Sequence, residues 1–499
     1  MNFIFSDQNV GRWELLGILG ILSCLFAVLA VLLPQELLVV LLAVGSMATV
    51  YYSTTLLIAH HSDRLPGWVG TVPIWLTFLA PLTITTVVVA RYWASVTLTL
   101  LLLVVALLAV FFYYWFVIPL ALYQKFAEQG RSRSVDEWPQ LSVLVPAYNE
   151  ANYIGPCLDA LLRADYPREK LEILVVDDGS TDDTFEEAQR RVGDVVTVIR
   201  KENGGKHSAL NDGLTHASAD LIVTIDADSL VAEDALCELV RSFQHHPDAG
   251  AVAGNVKISN RESFVTNVQA LEYVIGINTF RRAFDLLGIV TVVPGCLGAF
   301  RRETLERIHG YSADTLTEDF DATIAVLKQG VPIHHSDAVV YTEAPDTWTD
   351  LYNQRLRWFR GNVQTVWKHR HVFLDGQFGL LHRIAFPYVL FSMSVLPALG
   401  VAIVSLVVWS LISGSYLHVF GMLMFFVVLQ VLLSILAVRV DDDDLSLVWY
   451  APFSIVGYKQ FLDAVLIRSL FDVLRRRNLR WTSARRSRQR DVVTTEKGH

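Results

Sequence analysis

No residue between Glu14 and Glu36 carries a formal charge, and a helix needs only about 20 such residues to cross the hydrocarbon core of a bilayer. Leu37 to Ala59, Leu65 to Ala90 and Tyr92 to Gln124 are uncharged as well, so residues 1–125 are predicted to hold four transmembrane helices. Further on, Ile384 to Val438 runs about 55 residues without a formal charge, room for two more spans within residues 376–440, broken near Gly414 and Ser415. Helices buried in a soluble core rarely stay uncharged for so long. A secretory signal peptide fits poorly, because Met1 to Arg12 is not basic and further spans follow closely.

Apolar residues make up 53% of the 499, but they crowd into the two ends, and the middle carries most of the charge. That distribution predicts a soluble domain, residues 126–375, inserted between membrane segments. Residues 441–499 are read as an interfacial or partly inserted helix and a basic tail: in Leu445 to Leu474 only the first ~14 residues are uncharged, and Lys459, Asp463, Arg468 and Asp472 then follow at helical spacing. Positive charge stays on the cytoplasmic side of a membrane, which puts Arg475 to Arg490, both termini and the middle domain inside. A seventh span would move the basic tail outside. The net charge of -9 argues against a nucleic-acid partner. Cys24, Cys157, Cys237 and Cys296 show no paired spacing, hence no disulfide framework and no zinc site.

From Leu141 onward, short β-branched runs alternate with amphipathic stretches, the pattern of an α/β domain with a mainly parallel sheet. Leu141–Val145, Leu171–Val176, Val195–Arg200 and Ala219–Ile225 read as strands, and a helix is expected over Ala151–Arg163. Ligands of open sheets bind beyond the carboxyl ends of the strands. There the first strand runs into Pro146-Ala147-Tyr148-Asn149-Glu150 and the second into Asp177-Asp178-Gly179-Ser180, bringing an aromatic ring and carboxylates together as a nucleotide base requires. Asp177 and Ser180 serve equally well as capping residues. Glu202-Asn203-Gly204-Gly205-Lys206 after the third strand offers a backbone that can approach a phosphate and a compact charge, or else a simple turn. Asp226-Ala227-Asp228 leaves an apolar strand with two hard oxygen donors, suited to Mg2+ or Mn2+ held jointly with a diphosphate. His207, His245, His246, His334 and His335 show no ligand spacing tied to a carboxylate and are expected at the surface or at strand ends.

Together these motifs resemble the donor site of glycosyltransferase family 2, whose fold is GT-A, a Rossmann-like α/β architecture. Thr317-Glu318-Asp319 and Gln354-Arg355-Leu356-Arg357-Trp358 are similar in order and separation to the T-E-D and Q-x-x-R-W signatures of its processive members, the hyaluronan, chitin-oligosaccharide, cellulose and poly-N-acetylglucosamine synthases. The resemblance covers about Leu141 to Arg370 in detail. It implies Tyr148, Glu150 and Asp178 at the uridine, Lys206 near donor phosphates or base, Asp226 at the nucleotide and Asp228 on the metal. It further implies Asp319 as general base, with Gln354, Arg357, Trp358 and, less directly, Arg355 over the diphosphate and acceptor end. Pro294-Gly295-Cys296-Leu297-Gly298 is similar to the acceptor-side loop but lacks its aromatic-rich form.

The expectation is an inverting, metal-dependent enzyme of the plasma membrane, multi-pass, with a cytoplasmic catalytic domain. It would polymerise sugar from a UDP-sugar, with N-acetylglucosamine implied by the resemblance around Gly254-Asn255-Val256-Lys257 and Gln269-Ala270-Leu271-Glu272-Tyr273, and pass the growing glycan through its membrane bundle. Two alternatives stay open: a single transfer to a polyprenyl or other lipid acceptor, and a non-catalytic membrane partner that keeps the fold. Trp348 and Trp367, flanking the Q-x-x-R-W motif, are expected to anchor it at the membrane surface among lipid headgroups.

Overall fold

The computed structural model describes residues 117–129, 134–135, 137–414 and 416–475. The four N-terminal spans expected within residues 1–125, apart from their last few residues, and the basic tail after Arg475 lie outside the described residues. The chain divides into two units, one of Met1–Gly130 with Ser394–Gln460, the other of Arg131–Met393 with Phe461–His499.

In the first unit the helix Ile118–Gln129 is tied to the helix Tyr416–Val440, because Lys125 Nζ donates to the Val440 carbonyl at 2.6 Å and pairs with Asp442. The helix Leu396–Ser413 stops at Gly414, whose φ of 75° is a left-handed conformation that only glycine adopts without strain. Among the described residues, Leu381–Ser413 is the helical stretch long and apolar enough to cross a membrane, and Phe426–Val440 is a shorter apolar helix.

The second unit is an α/β domain around an eight-stranded mixed sheet of order β3-β2-β1-β4-β7-β6-β8-β5, GT-A-like in architecture. Its strands are β1 (Leu141–Ala147), β2 (Leu171–Asp177), β3 (Val196–Arg200), β4 (Leu221–Thr224), β5 (Leu230–Val231), β6 (Ala251–Ile258), β7 (Gly298–Arg301) and β8 (Ile333–Thr342). β1, β2, β3 and β4 pair in parallel, and strands covered on both faces read as unbroken apolar runs: every residue of β4 is buried. The expectation of a mainly parallel sheet holds only for this half. β7 enters antiparallel between β4 and β6, and β8 pairs parallel to β6, so the sheet is mixed. Residue periodicity reports which segments are strands and carries no information on the direction in which a distant segment inserts.

The helices are α1 (Ile154–Leu162), α2 (Thr184–Gln189), α3 (Lys206–His216), α4 (Ala235–His245), α5 (Phe264–Glu272), α6 (Thr279–Asp285), α7 (Glu318–Lys328), α8 (Trp348–Lys368) and α9 (Lys459–Leu474). α1 begins three residues later than expected from Ala151, since Asn149 takes a φ of 55° and the Glu150 carbonyl first closes a turn with the N–H groups of Tyr153 and Ile154. α4 buries Leu236, Leu239, Val240 and Phe243, a stripe at helical spacing against the sheet. α5 starts at a reciprocal cap, Ser263 accepting from the Thr266 N–H while Thr266 accepts from that of Ser263. α9 lies against α8: Trp348 meets Phe461 edge-on with centroids 5.1 Å apart, and Arg360 pairs with Asp472. The charges of α9 are therefore partly consumed within the domain, Asp463 and Asp472 both being buried.

Candidate active site

The carboxyl ends of β1 and β2 are laced together by short polar side chains. The Asn149 N–H donates to Ser180 Oγ at 3.0 Å, the Thr181 N–H to Asn149 Oδ1 at 2.9 Å, and the Glu150 N–H to Thr184 Oγ1 at 2.7 Å. Tyr148, 39% exposed, projects from this seam, and Glu150 is half-buried beside it. Asp177 is fully buried, accepting from the Ser180 N–H at 3.2 Å and pairing with Arg200 at 3.2 Å. Asp178 is also buried. Its carboxylate accepts from the N–H groups of Gly204 at 3.0 Å and Gly205 at 2.7 Å and from Lys201 Nζ at 2.9 Å. It thus fixes the glycine loop that follows β3 and leads into α3.

Lys206 opens α3 directly after Gly205, whose φ is 89°. Its Nζ lies 2.5 Å from Asp226 Oδ1 and 3.1 Å from Glu318 Oε1. Burial alone would lower the proton affinity of this amine, but Asp226, Glu318 and Asp319 raise it well above the usual lysine value, so the group stays an ammonium. Asp226 and Asp228 leave β4 half-buried on a turn closed by the Ser229 N–H donating to the Asp226 carbonyl at 3.0 Å. Asp228 Oδ1 accepts from Ser229 Oγ at 3.2 Å.

Asp319 is the second residue of α7. Its Oδ1 accepts from the Phe320 N–H at 2.8 Å and its Oδ2 from the Gly295 N–H at 3.3 Å, the latter on the loop before β7. Burial, followed by repulsion from Glu318, raises its pKa to about 6, which sets it between a spent carboxylate and a protonated acid near neutral pH.

α8 carries the remaining candidates. Gly361 faces Thr317, where a Cβ would stand 2.6 Å from Thr317 Cγ2, and Gln364 Oε1 accepts from the Leu316 N–H at 3.1 Å. Those contacts bring α8 against the loop preceding Asp319. Gln354 and Trp358 are half-buried, and Gln354 Oε1 has no hydrogen-bond partner among the described residues. Arg357 is likewise half-buried. Arg355 is 3% exposed, donates to Glu272 Oε2 at 2.7 Å and lies 4.6 Å from the centre of the Trp358 ring, so it acts as a strut between α5 and α8.

The structure thus joins Lys206, Asp226 and Glu318 through direct contacts, brings Asp319 in through the Gly295 loop and Asp178 through the glycine loop that precedes Lys206, and keeps Tyr148 and Glu150 on the adjoining seam. Gln354, Arg357 and Trp358 connect to this set through the packing of α8. Sequence reasoning missed Gly361 and, although it named Gly295 in the acceptor-side loop and Glu272 in the stretch around Tyr273, it did not foresee their contacts with Asp319 and Arg355, which come from distant segments. His334 and His335 lie at the start of β8, the strand-end position expected of them, but their tie to a carboxylate was not foreseen. Both are buried, with Asp285 Oδ1 accepting from the His335 N–H at 2.8 Å and bonded to His334 Nδ1 at 2.9 Å. A carboxylate about fifty residues upstream leaves no spacing signal. His246 stacks on His334 with centroids 3.6 Å apart and planes 18° apart, and His246, Asp285 and His334 present their ligand atoms within 4.8 Å of one another. This cluster sits at the start of β8, the end of the sheet away from Asp226.

Residues 142–308 match the family described as Glycosyl transferase family 2. The chain carries a glycosyltransferase family 2 domain. This glycosyltransferase domain is 32% identical over 277 residues to the poly-beta-1,6-N-acetyl-D-glucosamine synthase of Staphylococcus aureus (strain MSSA476), an overlap of 55% of this chain and 65% of the relative, slightly less than two thirds of its length. The probable glycosyltransferase YdaM of Bacillus subtilis (strain 168) is 28% identical over 413 residues, 74% of this chain and 96% of that one. A solved mannosyltransferase, PcManGT from Pyrobaculum calidifontis in complex with GDP-Man and Mn2+, aligns at a TM-score of 0.49 and 24% identity over 76% of this chain and 100% of its own.

Proposed function

We propose that the family 2 domain works as an inverting, metal-dependent glycosyltransferase that polymerises N-acetylglucosamine from its UDP-sugar at the cytoplasmic face of the plasma membrane and feeds the glycan into its own membrane helices. The observation that carries this reading is the meeting of Asp226, Lys206, Glu318 and Asp319 at the end of β4, with Asp228 two residues along the same turn. The similarity to the Staphylococcus poly-beta-1,6-N-acetyl-D-glucosamine synthase supports the choice of sugar.

The residues fit a divalent ion: two half-buried carboxylates supply hard oxygens, and Asp226 already faces a cationic group at 2.5 Å. When bound, Mg2+ or Mn2+ would neutralise charge on the departing diphosphate, with Asp228 as its protein ligand. Tyr148 and Glu150 receive the uridine at the seam, and Asp178 shapes the glycine loop beside it. Asp319 Oδ2 takes the proton from the acceptor hydroxyl as that oxygen bonds to the anomeric carbon and the bond from carbon to the UDP oxygen breaks. Arg357 balances leaving-group charge, Gln354 offers its unpartnered Oε1 to a hydroxyl of the acceptor and its amide N–H to the diphosphate, and Trp358 gives a sugar ring a flat apolar face.

The test is incubation of the purified protein in lipid with a panel of UDP-sugars, followed by sizing of the product. A long N-acetylglucosamine polymer is expected. A single sugar on a lipid acceptor would replace polymerisation with single transfer, and no UDP release from any donor would remove the enzymatic reading.

A further inference from the structure

Lys206 stands where three acidic side chains crowd together. Its Nζ is 2.5 Å from Asp226 and 3.1 Å from Glu318, and Asp319 adds a third attraction. Asp226 comes from the end of β4 and Glu318 from the start of α7, so the ammonium ties together two segments that share no backbone hydrogen bonds in the sheet. The loop before β7 has made room for it: a Cβ on Gly295 would stand 2.6 Å from Nζ. The same glycine donates its N–H to Asp319, so one small residue serves both the cation and the carboxylate. This is a housed cation, with a cradle formed from three separate elements.

We propose that Lys206 is a resident cation of the donor site, which neutralises the acidic cluster when no donor is present and thereby keeps a divalent metal from binding ahead of the nucleotide. The inference rests on the metal-dependent reading of this site and adds an order of binding to it. Its physical basis is charge arithmetic. A divalent ion held by Asp228 would be bound two residues along the chain from Asp226, which the fixed ammonium already neutralises, and for scale a double and a single positive charge about 5 Å apart repel enough to weaken binding roughly tenfold even in a water-like dielectric, and further in a half-buried one. A nucleoside diphosphate reverses the balance because its phosphates face both cations. Metal and donor therefore arrive together, and Glu318 acts as the positioning residue that anchors Lys206 when neither is bound.

The experiment is a Mn2+ titration of the full-length protein in lipid nanodiscs, followed by electron paramagnetic resonance of the free ion, with and without UDP. Wild type is expected to bind Mn2+ weakly alone and at least about tenfold more tightly with UDP. Lys206→Met should raise the donor-free Mn2+ affinity by roughly tenfold or more, while Lys206→Arg, which keeps the charge, should stay at the wild-type value. A Lys206→Met protein that melts at the wild-type temperature yet binds Mn2+ no more tightly than wild type would overturn the inference. If Lys206→Met does not fold, wild type decides: equal Mn2+ affinity with and without UDP overturns it, and strong dependence on UDP with an unchanged Lys206→Arg supports it. Absence of Mn2+ binding in every protein, even with UDP, would overturn the metal-dependent reading itself, and is thus distinguishable from failure of the binding order alone.

Discussion

Two acidic pairs border the site, Asp177-Asp178 at the end of β2 and Glu318-Asp319 at the start of α7, and they are used in opposite ways. The first pair is spent on the fold: Asp178 accepts from two glycine N–H groups and Lys201, and Asp177 accepts from the Ser180 N–H and forms an ion pair with Arg200. The second pair faces its own kind. Glu318 and Asp319 sit side by side near Asp226 with one ammonium among them, and burial first, then repulsion from Glu318, keeps the proton affinity of Asp319 elevated. Asp178 and Asp319 each accept from two backbone N–H groups, and what differs is the charge beside them: Lys201 bonds directly to Asp178, whereas Asp319 is buried next to the Glu318 carboxylate and so retains its capacity to take a proton.

Asp228 belongs to neither pair and tests whether a third use exists. Asp228→Asn is expected to lower turnover by about a thousandfold or more, the scale on which loss of a metal ligand removes several kcal/mol of transition-state stabilisation. Turnover assays with the wild type in excess chelator should show the same loss. Activity that survives both would leave the two pairs as the site's working acids.

Asp319→Asn sharpens the contrast between the pairs. The change preserves shape and removes the base, so polymer formation should slow by about a hundredfold or more while UDP affinity and melting temperature stay near wild type. Loss of UDP binding as severe as in Asp228→Asn would show that Asp319 does not serve the acceptor.

Asp178→Ala should behave in the reverse manner. Its loss leaves two glycine N–H groups and Lys201 without their acceptor, a cost of about 1–3 kcal/mol. Thermal unfolding should therefore shift downward, and UDP should bind about tenfold more weakly through a loosened loop, with the rate at saturating donor less affected. A variant with wild-type stability and a collapsed rate would erase the distinction between scaffolding and chemical carboxylates.

The same contrast explains what the sequence could reveal. β1 to β4 were legible because each is an apolar run ending in polar residues, and a local pattern is enough to place such residues beyond the sheet. The antiparallel entry of β7, the Gly295 cradle and the contact of Gly361 with Thr317 join segments dozens of residues apart, and no periodicity encodes them. Asp177 looked like a nucleotide or capping residue with equal reason and Asp178 more like a nucleotide contact; only the glycine loop's path shows that Asp178 holds that loop. Arg355 stood within a motif, yet its neighbour Glu272 lies on α5, and its burial could not be read from either stretch alone.

The smallest effect is a shift in pH dependence, and it reports on the second pair directly. Asp319 must be ionised to accept a proton, and its pKa is raised to about 6 from 3.8, first by burial and then by Glu318. The value of kcat/KM should therefore rise with pH, reaching half its plateau near 6, only a twofold effect there and about tenfold one pH unit lower. Glu318→Gln removes a repelling charge and should move the midpoint down, whereas Lys206→Met removes an attracting one and should move it up. Shifts of kcat/KM in these two opposite directions, measured on variants of equal stability, would tie the profile to Asp319. A midpoint that ignores both substitutions would assign the proton to another group and dissolve the contrast between the pairs.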